Sequence, residues 1–467
     1  MKKILGISRK QLFLQSGAES LVMTVLVMMI SSMVILLTNQ LYLTYTSFQP
    51  FSLSENWLLL LSLFLLTFVL GLLGNTYSGA YLTLSSKLIQ KEGKSVAIFK
   101  KVLLGLQFAI ASVILIVTLT MDKQINFMKN KDLGFSKEQI LIVNLPGNEE
   151  LMDKRIQFRE KIKGFASIEK ASLIGSGALP GEENGKELFG VTIDGNQSER
   201  VYNIYRIDEN YSELLDIKLT SGRNFQTDRL SDQTNSVIIN EELAKSLNWQ
   251  NPLGKKIWCY DEEREVIGVV KNFHNKSLHN LIEPIVFMFD MNYSTNLLVK
   301  TSSSEVGMIK TAWADFFPNV PYSHTYFDQF IGSMYTKEDQ LVRLLGFFSL
   351  VSLALCCMGL FALFSLHILQ STKELSIRKI LGANAMNLLR IVSSSYVVVA
   401  LLAIGLAIPI AWLFLNNWLD GFSYRIPINP IIFIRSIGLI LLASCLAISY
   451  HIVKALKTNP ADSLKHD

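Results

Sequence analysis

The stretch KELSIRKILGANAMNLLRI, residues 373–391, lies between two long apolar runs and decides how the rest of the chain is interpreted. Its apolar residues recur at nearly helical spacing, which is typical of a helix lying at a membrane surface. Gly382 and Asn384 interrupt that spacing. The stretch therefore predicts two short amphipathic helices around a turn. Its charged residues are four bases and one acid: Lys373, Arg378, Lys379, Arg390 and Glu374.

A partial copy of this stretch opens the chain, where KKILGISRKQL (residues 2–12) aligns with RKILGANAMNL (residues 378–388). Each copy is followed by a spacer, an apolar span, a short loop poor in charge and a second apolar span. What repeats is therefore the order of these segments, which is stronger evidence than the few identical residues.

Composition indicates a membrane protein with a sizeable soluble part, because half the residues are hydrophobic and the mean hydropathy is +0.31. The net charge is only +5, and the bases sit in short loops beside apolar runs, which favours a topology signal over nucleic-acid binding. Cys259 stands alone in the polar part and the other three cysteines lie in apolar runs, so neither a disulfide nor a metal quartet is expected.

Six apolar runs are long enough to cross about 30 Å of hydrocarbon. The first could instead be a signal peptide, but Glu19 precedes it and no small-residue cleavage pattern follows. The six predicted spans are residues 21–38, 57–73, 102–121, 344–366, 396–415 and 431–450.

The distribution of Lys and Arg predicts the orientation. The segments before span one, between spans two and three, between spans four and five, and after span six hold 4, 5, 4 and 3 of these residues. The loops at residues 39–56 and 416–430 hold 0 and 1. By the positive-inside rule both termini and residues 373–391 are cytoplasmic, and residues 122–340 face outward.

Residues 122–340 predict a mixed α/β domain, opened by a helical extension of span three over residues 122–132. Glycine and proline predict a loop at residues 175–181 and a turn at residues 251–254. The predicted strands are residues 140–145, 189–193, 201–207, 236–239, 265–270, 285–289 and 297–300. The predicted helices are residues 149–165, 241–248 and 304–317.

No catalytic, cofactor or metal site is predicted. Gly93-Lys94-Ser95 imitates the end of a phosphate loop, but Leu88 stands where that motif needs glycine. His274 and His279 lack a nearby carboxylate or cysteine cluster, which favours a structural role over metal binding. Ser393–Ser395 are interpreted as a helix start rather than as nucleophiles. The spans carry almost no central ionisable group, which disfavours an ion-coupled carrier.

Several strings in combination resemble the FtsX-like, MacB-like permeases of ABC transporters, especially the large double-unit form common in Bacteroidetes. These strings are ELSIRKILGANAMNLL (374–389), NPADSLK (459–465), QFAIASVIL (107–115), KQINFMKNKDLGF (123–135), SGRNF (221–225), NPLGKKI (251–257) and VIGVVKNFHNKSLH (266–279). The resemblance implies an α-helical membrane protein with six transmembrane helices and a mixed α/β extracytoplasmic domain of the MacB-like periplasmic core type.

The resemblance also implies a division of the chain. Residues 1–101 resemble the back of a preceding unit, with its coupling segment and two spans. Residues 102–121 are a transmembrane helix, residues 122–340 the core domain, and residues 341–467 the FtsX-like domain that contains the coupling segment at 373–391. The chain thus resembles the C-terminal portion of an eight-span permease, whether by a natural split, an alternative start or a gene fragment.

The function implied is that of a permease subunit in the inner (plasma) membrane, not an enzyme, which passes ATP-driven motion from a separate ATP-binding subunit to the outer domain for export or extraction. Further partners implied are the lipid bilayer, a second permease unit or homodimer, and a periplasmic partner; no nucleic acid and no cofactor is expected. The implied contacts for the ATPase are Glu374, Arg378, Lys379, Gly382 and Ala383, with Lys3 and Gly6 as the partial counterpart.

Two other interpretations stay open. The bases could serve only to fix topology and touch anionic lipid. The chain could also be a membrane-anchored sensor or binding receptor without transport, or, less well supported, an enzyme of the membrane surface, although six spans are many for an anchor.

Overall fold

The computed structural model describes residues 9–45, 52, 54–84, 94–182, 187–193, 196–259, 262–301, 305–381 and 385–457. The chain divides into two compact units, Met1–Lys101 and Val102–Asp467. Each unit is described by itself below.

In the first unit, helices α1 (Arg9–Tyr45) and α2 (Trp57–Leu84) pack through small residues. Ser20 and Thr24 are buried on α1, and their hydroxyls donate to the carbonyls of Ser16 and Ser20, each at 2.8 Å. A Cβ atom on Gly71 of α2 would lie 3.4 Å from the Cβ of Ser20. Small side chains and internally satisfied hydroxyls let two apolar helices approach closely.

Within the described residues, five helices are long and apolar enough to cross a membrane. Five of the six predicted spans are confirmed to this extent. The remaining span, predicted at residues 57–73, falls in α2, where Trp57–Leu72 is a shorter apolar helix within the described residues. The five helical segments are Leu14–Leu36, Ile98–Asn130, Thr336–Ser371, Ser393–Leu419 and Pro430–Ser449.

In the second unit, four long helices form two apolar clusters. The helices are α3 (Lys94–Asn130), α10 (Thr336–Ile380), α11 (Ala385–Leu419) and α12 (Pro430–Lys457). One cluster lies toward residues 373–391 and includes Phe108 and Phe364. The other lies toward the outer domain and includes Met121 and Leu415. Along α11, buried alanines allow the neighbouring helices to pack tightly. These are Ala400, Ala403, Ala407 and Ala411.

Half of the outer domain is an antiparallel sheet in the order β11-β1-β10-β2, which continues into β4. Helices α4 (Met152–Lys163) and α8 (Val306–Phe316) cover one face, where the rings of Phe158 and Trp313 meet edge to face at 5.7 Å. A short 3-10 helix, Glu149–Leu151, precedes α4. The strands are β1 (Ile140–Asn144), β2 (Lys170–Gly175), β4 (Asn196–Ile207), β10 (Ser294–Lys300) and β11 (His324–Tyr326).

The other half is a closed ring of six strands. Strand β4 pairs with β3 on one side and with β9 on the other, and the ring continues β3-β7-β8-β6-β9. Alternate side chains fill its interior, as strand geometry requires, among them Tyr202, Ile239, Cys259 and Met288. The added strands are β3 (Glu187–Ile193), β6 (Ser236–Asn240), β7 (Lys256–Cys259), β8 (Glu262–Val270) and β9 (Ile285–Phe289), with β5 (Leu219–Gly222) paired to β8.

A central core joins both halves of the outer domain to the membrane helices. The outer surface of the ring contributes Tyr205 and Phe287, and the second face of the sheet contributes Ile142. The same cluster contains Met128 of α3 and Phe422 of the α11–α12 connection. The membrane helices therefore do not merely anchor the outer domain, because they share its hydrophobic core.

The predicted strands and helices of the outer domain are confirmed, and so is the helical extension of span three, which reaches Asn130. The sequence interpretation missed several short elements. These are the strands β2, β5, β7 and β11 and the helices α5 (Tyr211–Leu214), α6 (Leu230–Thr234) and α9 (Phe327–Ser333). Helix α7 (Glu241–Ser246) was predicted and closes one end of the ring with Leu243.

The prediction of two short helices at residues 373–391 is wrong in one respect. The described parts of this segment are the end of α10 and the beginning of α11, each a helix of membrane-spanning length. No proline interrupts residues 336–380, so nothing stops the helix where the hydrophobic run ends.

Candidate functional site

The predicted coupling residues lie at the far end of α10. Glu374 and Arg378 are four residues apart on that helix, hence on one face, and Lys379 follows. The side chain of Arg378 is half-buried. Lys3, Gly6, Gly382 and Ala383 lie outside the described residues.

Two apolar side chains mark the end of this helix. Ile380 is 62% exposed and Leu381 is 80% exposed. Exposed apolar side chains beside bases can contact lipid or another protein, so this end of α10 presents a surface rather than a core.

Helix α10 extends without interruption over 45 residues. At 1.5 Å per residue it is about 66 Å long, more than twice the roughly 30 Å of a bilayer's hydrocarbon core. One rigid element thus connects the outer domain with the predicted coupling segment.

At the other end of α10, four segments meet. They are the end of α3 (residues 124–133), the loop after β8 (residues 271–283), the start of α10 with its preceding turn (residues 335–339) and the α11–α12 loop (residues 418–426). We call these four segments the joint. Their side chains form the membrane-facing part of the central core, with Leu133, Phe273, Leu278, Tyr335 and Phe422 buried.

Gln124 ties α3 to the α11–α12 loop. Its side chain is fully buried. The amide nitrogen donates to the carbonyl of Tyr424 at 2.9 Å, and the amide oxygen accepts from the backbone N–H of Ile426 at 2.9 Å. A single carboxamide thus satisfies two backbone groups of the loop.

The loop after β8 binds the α11–α12 loop from the other side. The carbonyl of His279 accepts from the Ser423 hydroxyl at 2.8 Å and from the Ser423 N–H at 3.3 Å. The His279 ring stacks on Phe422 at 4.4 Å. The hydroxyl of Tyr335 accepts from the N–H of Leu278 at 3.0 Å, which attaches the same loop to the start of α10.

His274 lies inside the joint. Its backbone N–H donates to the carbonyl of Leu133 at 2.8 Å, and its ring meets Tyr424 edge-on at 4.6 Å. Burial, together with the nearby charge of Lys131, lowers the pKa of His274 to about 4. The ring is therefore neutral near pH 7, as expected for a packing residue. Lys131 itself lies over the Tyr424 ring at 5.0 Å.

An ion pair connects α3 with α10, and a histidine–carboxylate contact connects the loop after β8 with α10. Lys129 forms an ion pair with Asp339, and His279 Nε2 lies 3.5 Å from Glu338 Oε1. The second carboxylate oxygen of Glu338 is buried without a hydrogen-bond partner. Both helices are thus held together directly above their membrane segments.

The contacts of the joint hold its four segments together, and they include one serine–histidine contact, in which the Ser277 hydroxyl lies 3.4 Å from His279 Nδ1. In the part of the chain that the structure describes, no group of three or more His, Cys, Asp or Glu side chains is arranged to hold a metal ion. The rings of His274 and His279 contact Tyr424 and Phe422 in the joint, and the structural role of both histidines stays a prediction.

Sequence reasoning did not identify Gln124, Phe422 or Tyr424. The bonds of Gln124 reach residues about 300 positions away along the chain, and no local pattern reports such a pairing. The available signal was the three aromatic residues of a short outer loop, Trp418, Phe422 and Tyr424, which are unusual where only water is expected.

Fold and joint together define a polytopic membrane protein whose helices continue into the core of a large domain on one side. Two family descriptions match the sequence of this unit. Residues 102–310 match the MacB-like periplasmic core domain, and residues 346–460 match the FtsX-like permease C-terminal domain. The chain therefore belongs to the MacB/FtsX type of ABC transporter permeases.

Curated relatives agree. The chain is 27% identical over 313 residues to the macrolide export ATP-binding/permease protein MacB of Aggregatibacter actinomycetemcomitans, covering 62% of this chain and 46% of the relative. It is 24% identical to MacB of Neisseria gonorrhoeae, covering 78% and 58%. The chain thus spans about half the length of these relatives.

A relative of more similar extent is the uncharacterized ABC transporter permease YknZ of Bacillus subtilis. The identity is 22% over 392 residues, covering 78% of this chain and 94% of the relative. The likeness to YknZ thus extends over most of both chains.

Proposed function

We propose that the chain is the transmembrane component of an ABC transporter that passes ATP-driven motion from a separate ATP-binding subunit to its extracytoplasmic domain. The observation that carries the proposal is helix α10, which connects the joint at Thr336 with the predicted coupling residues up to Ile380. A continuous helix transmits displacement or tilt over its length, because its backbone hydrogen bonds resist local change.

The joint supports the receiving end of this mechanism. The start of α10 is bound to the loop after β8 through Tyr335 and to α3 through the pair of Asp339 and Lys129. Because Tyr335 belongs to the central core of the outer domain, a tilt of α10 would move that domain as a body rather than deform a flexible linker.

The MacB relatives are named macrolide export ATP-binding/permease proteins, which supports an ATP-binding partner and export as the direction of transport. On this basis the outer domain handles a substrate or a periplasmic partner outside the membrane, and the permease works beside a second permease unit or as a homodimer. Glu374, Arg378, Lys379, Gly382 and Ala383 would contact the ATPase, and Lys3 and Gly6 would form the partial second contact.

We also propose the domain division and orientation that the sequence predicts. Residues 1–101 would be a partial first unit, residues 122–340 the outer domain and residues 341–467 the FtsX-like domain, with both termini in the cytoplasm. Single cysteines placed at Asn384 and Asn196, in a chain whose four native cysteines are alanine, would test this. An impermeant thiol reagent should label position 196 and not position 384 in intact cells; the reverse pattern contradicts the orientation.

Capture of an ATP-binding subunit by the full chain from its native membranes tests the function itself. Gly382→Trp should reduce that capture and the stimulation of ATP hydrolysis in lipid by at least about tenfold, because a bulky side chain at the predicted turn disturbs a docking surface. The matched control is Gly307→Trp on α8, where an added Cβ atom meets nothing within 4 Å.

The two variants separate the interpretations. Loss of capture in Gly382→Trp but not in Gly307→Trp supports ATPase docking at residues 373–391. Equal capture and equal hydrolysis by both variants would favour the interpretation in which the basic residues only contact lipid. A chain that captures no ATP-binding subunit, yet binds a soluble ligand through its outer domain, would favour the receptor function.

A further inference from the structure

We propose that Gln124 is a positioning residue that makes α3 and the α11–α12 loop move together when the transporter works. This inference rests on the proposed function, because it assigns the place where motion passes between the membrane helices on the outer side. It adds a second route to the outer domain besides α10.

The position of Gln124 on α3 supports this role. Met121, three residues before it, belongs to the outward apolar cluster of the membrane helices. Met128, four residues after it, belongs to the central core of the outer domain. Residues at these spacings share one helix face, so Gln124 lies where one apolar core ends and the next begins.

Apolar packing resists separation but not sliding, whereas hydrogen bonds fix a register. Both bonds of the Gln124 amide are 2.9 Å long. A slide of α3 by one residue, about 1.5 Å along its axis, would break both, because hydrogen bonds weaken steeply beyond about 3.2 Å. The amide therefore sets the axial register between α3 and the loop.

The α11–α12 loop can pass a displacement of α3 on to the outer domain. It connects α11 with α12, and the ring of Tyr424 contacts His274 and Lys131, while Ser423 is bonded to His279. A displacement of α3 would pass through Tyr424 and Ser423 to the loop after β8, and thus to the outer domain.

The test uses Gln124→Met, which keeps the length of the side chain and removes both hydrogen bonds. The matched control is Asn126→Met, which changes an exposed amide two residues further on the same helix. Spin labels at Val102, an exposed residue of α3, and at Arg425 of the loop report the distance between the helix and the loop. The full chain is measured with its ATP-binding subunit in lipid nanodiscs, with and without ATP.

In the parent chain and in Asn126→Met, we expect one narrow distance distribution in both nucleotide states, because α3 and the loop move as one. In Gln124→Met, ATP should produce a second distance. The loss of two buried hydrogen bonds should raise the ratio of molecules with the second distance to molecules with the first by about tenfold. Capture of the ATP-binding subunit and its hydrolysis rate should stay within about twofold of the parent chain.

Gln124→Glu provides a readout that a merely structural role would not give. A neutral carboxylic acid can donate to the Tyr424 carbonyl and accept from the Ile426 N–H, as the amide does, whereas the carboxylate cannot donate. Burial favours the neutral acid as pH falls. The second distance in Gln124→Glu should therefore be present at pH 8 and disappear at pH 5.5, while that of Gln124→Met should persist at both.

A single narrow distance in Gln124→Met with ATP and normal hydrolysis would overturn the inference. So would a Gln124→Glu distribution that does not change with pH. Failure to capture any ATP-binding subunit would instead overturn the proposed function, and the inference with it, so the two failures are distinguishable.

Discussion

The two ends of α10 are built differently, although one unbroken helix connects them. At the joint, the side chain of Tyr335 is buried and hydrogen-bonded within the core of the outer domain. At the opposite end, Ile380 and Leu381 are largely exposed beside basic residues. The difference indicates that one end is completed by the fold of this chain and the other by a partner or by lipid.

Substitutions at the two ends of α10 should have different consequences. A residue of the joint contributes to stability because its neighbours cannot close the space that it leaves. A residue at the exposed end contributes little to the stability of this chain, whatever it contributes to binding. The effects of substitution at the two ends should therefore separate stability from partner binding.

The largest expected effect is on the stability of the joint. Phe273 is almost fully buried and lies edge-on to Phe135, with ring centroids 6.2 Å apart. Phe273→Ala should destabilise the folded chain by about 3–5 kcal/mol, because it removes an aromatic ring from a packed core. The measurement is chemical denaturation of the purified chain in detergent, followed by tryptophan fluorescence.

The control at the other end of the molecule is Leu381→Ala. This exposed side chain should contribute less than about 0.5 kcal/mol to the same transition, while its loss should weaken capture of an ATP-binding subunit. Similar destabilisation by both substitutions would show that the two ends do not differ as the structure indicates.

The next effect is a pH dependence confined to the joint. The pKa of His274 is lowered from 6.5 to about 4 in the folded chain, so the unfolded chain binds the proton more readily. Stability from this group is then fully present above about pH 6.5 and is lost as pH falls toward 4. Between pH 7 and pH 5 the folded chain should lose about 1–2 kcal/mol through His274.

The measurement is the free energy of unfolding at both pH values for the parent chain, His274→Gln and His324→Gln. Because His324 lies exposed on β11, its removal should leave the pH dependence of the parent chain in place. His274→Gln should reduce it. An undiminished pH dependence in His274→Gln would assign the loss of stability to other groups.

How much of this structure could be predicted depends on the range of the interactions involved. Strand β9 was predicted with its observed bounds, because Ile285–Phe289 is a continuous apolar run between turn signals. Strand β2 was missed, since Lys170–Gly175 mixes polar and apolar residues. Its residues from Ala171 to Gly175 are buried because Ala171 and Leu173 pack against helices α4 and α8 on one face and Ile174 lies in the central core on the other.

The candidate site divides in the same way. The coupling segment is visible in sequence, because its bases and apolar residues are local in the chain. Gln124 carries no comparable signal, since its partners Tyr424 and Ile426 are brought to it only by the fold. The continuity of α10 was within reach of sequence reasoning, because no proline interrupts residues 336–380.

The smallest expected effect concerns Lys94, the first residue of α3. It tests whether this lysine contributes only its positive charge or takes part in nucleotide binding. Lys94→Ala should change ATP turnover of the reconstituted complex by no more than about twofold, the scale of an ordinary surface substitution. Gly93-Lys94-Ser95 lacks the earlier glycine that lets backbone N–H groups surround a phosphate, since position 88 is leucine.

Lys100→Ala is the matched control, because it removes another base from the same helix. Both variants and the parent chain should show no saturable ATP binding when the chain is studied alone by equilibrium titration with magnesium present. Stoichiometric binding that disappears in Lys94→Ala and persists in Lys100→Ala would contradict this prediction. It would place nucleotide chemistry within this chain, and the exposed end of α10 would then no longer need a separate ATP-binding subunit to explain its bases.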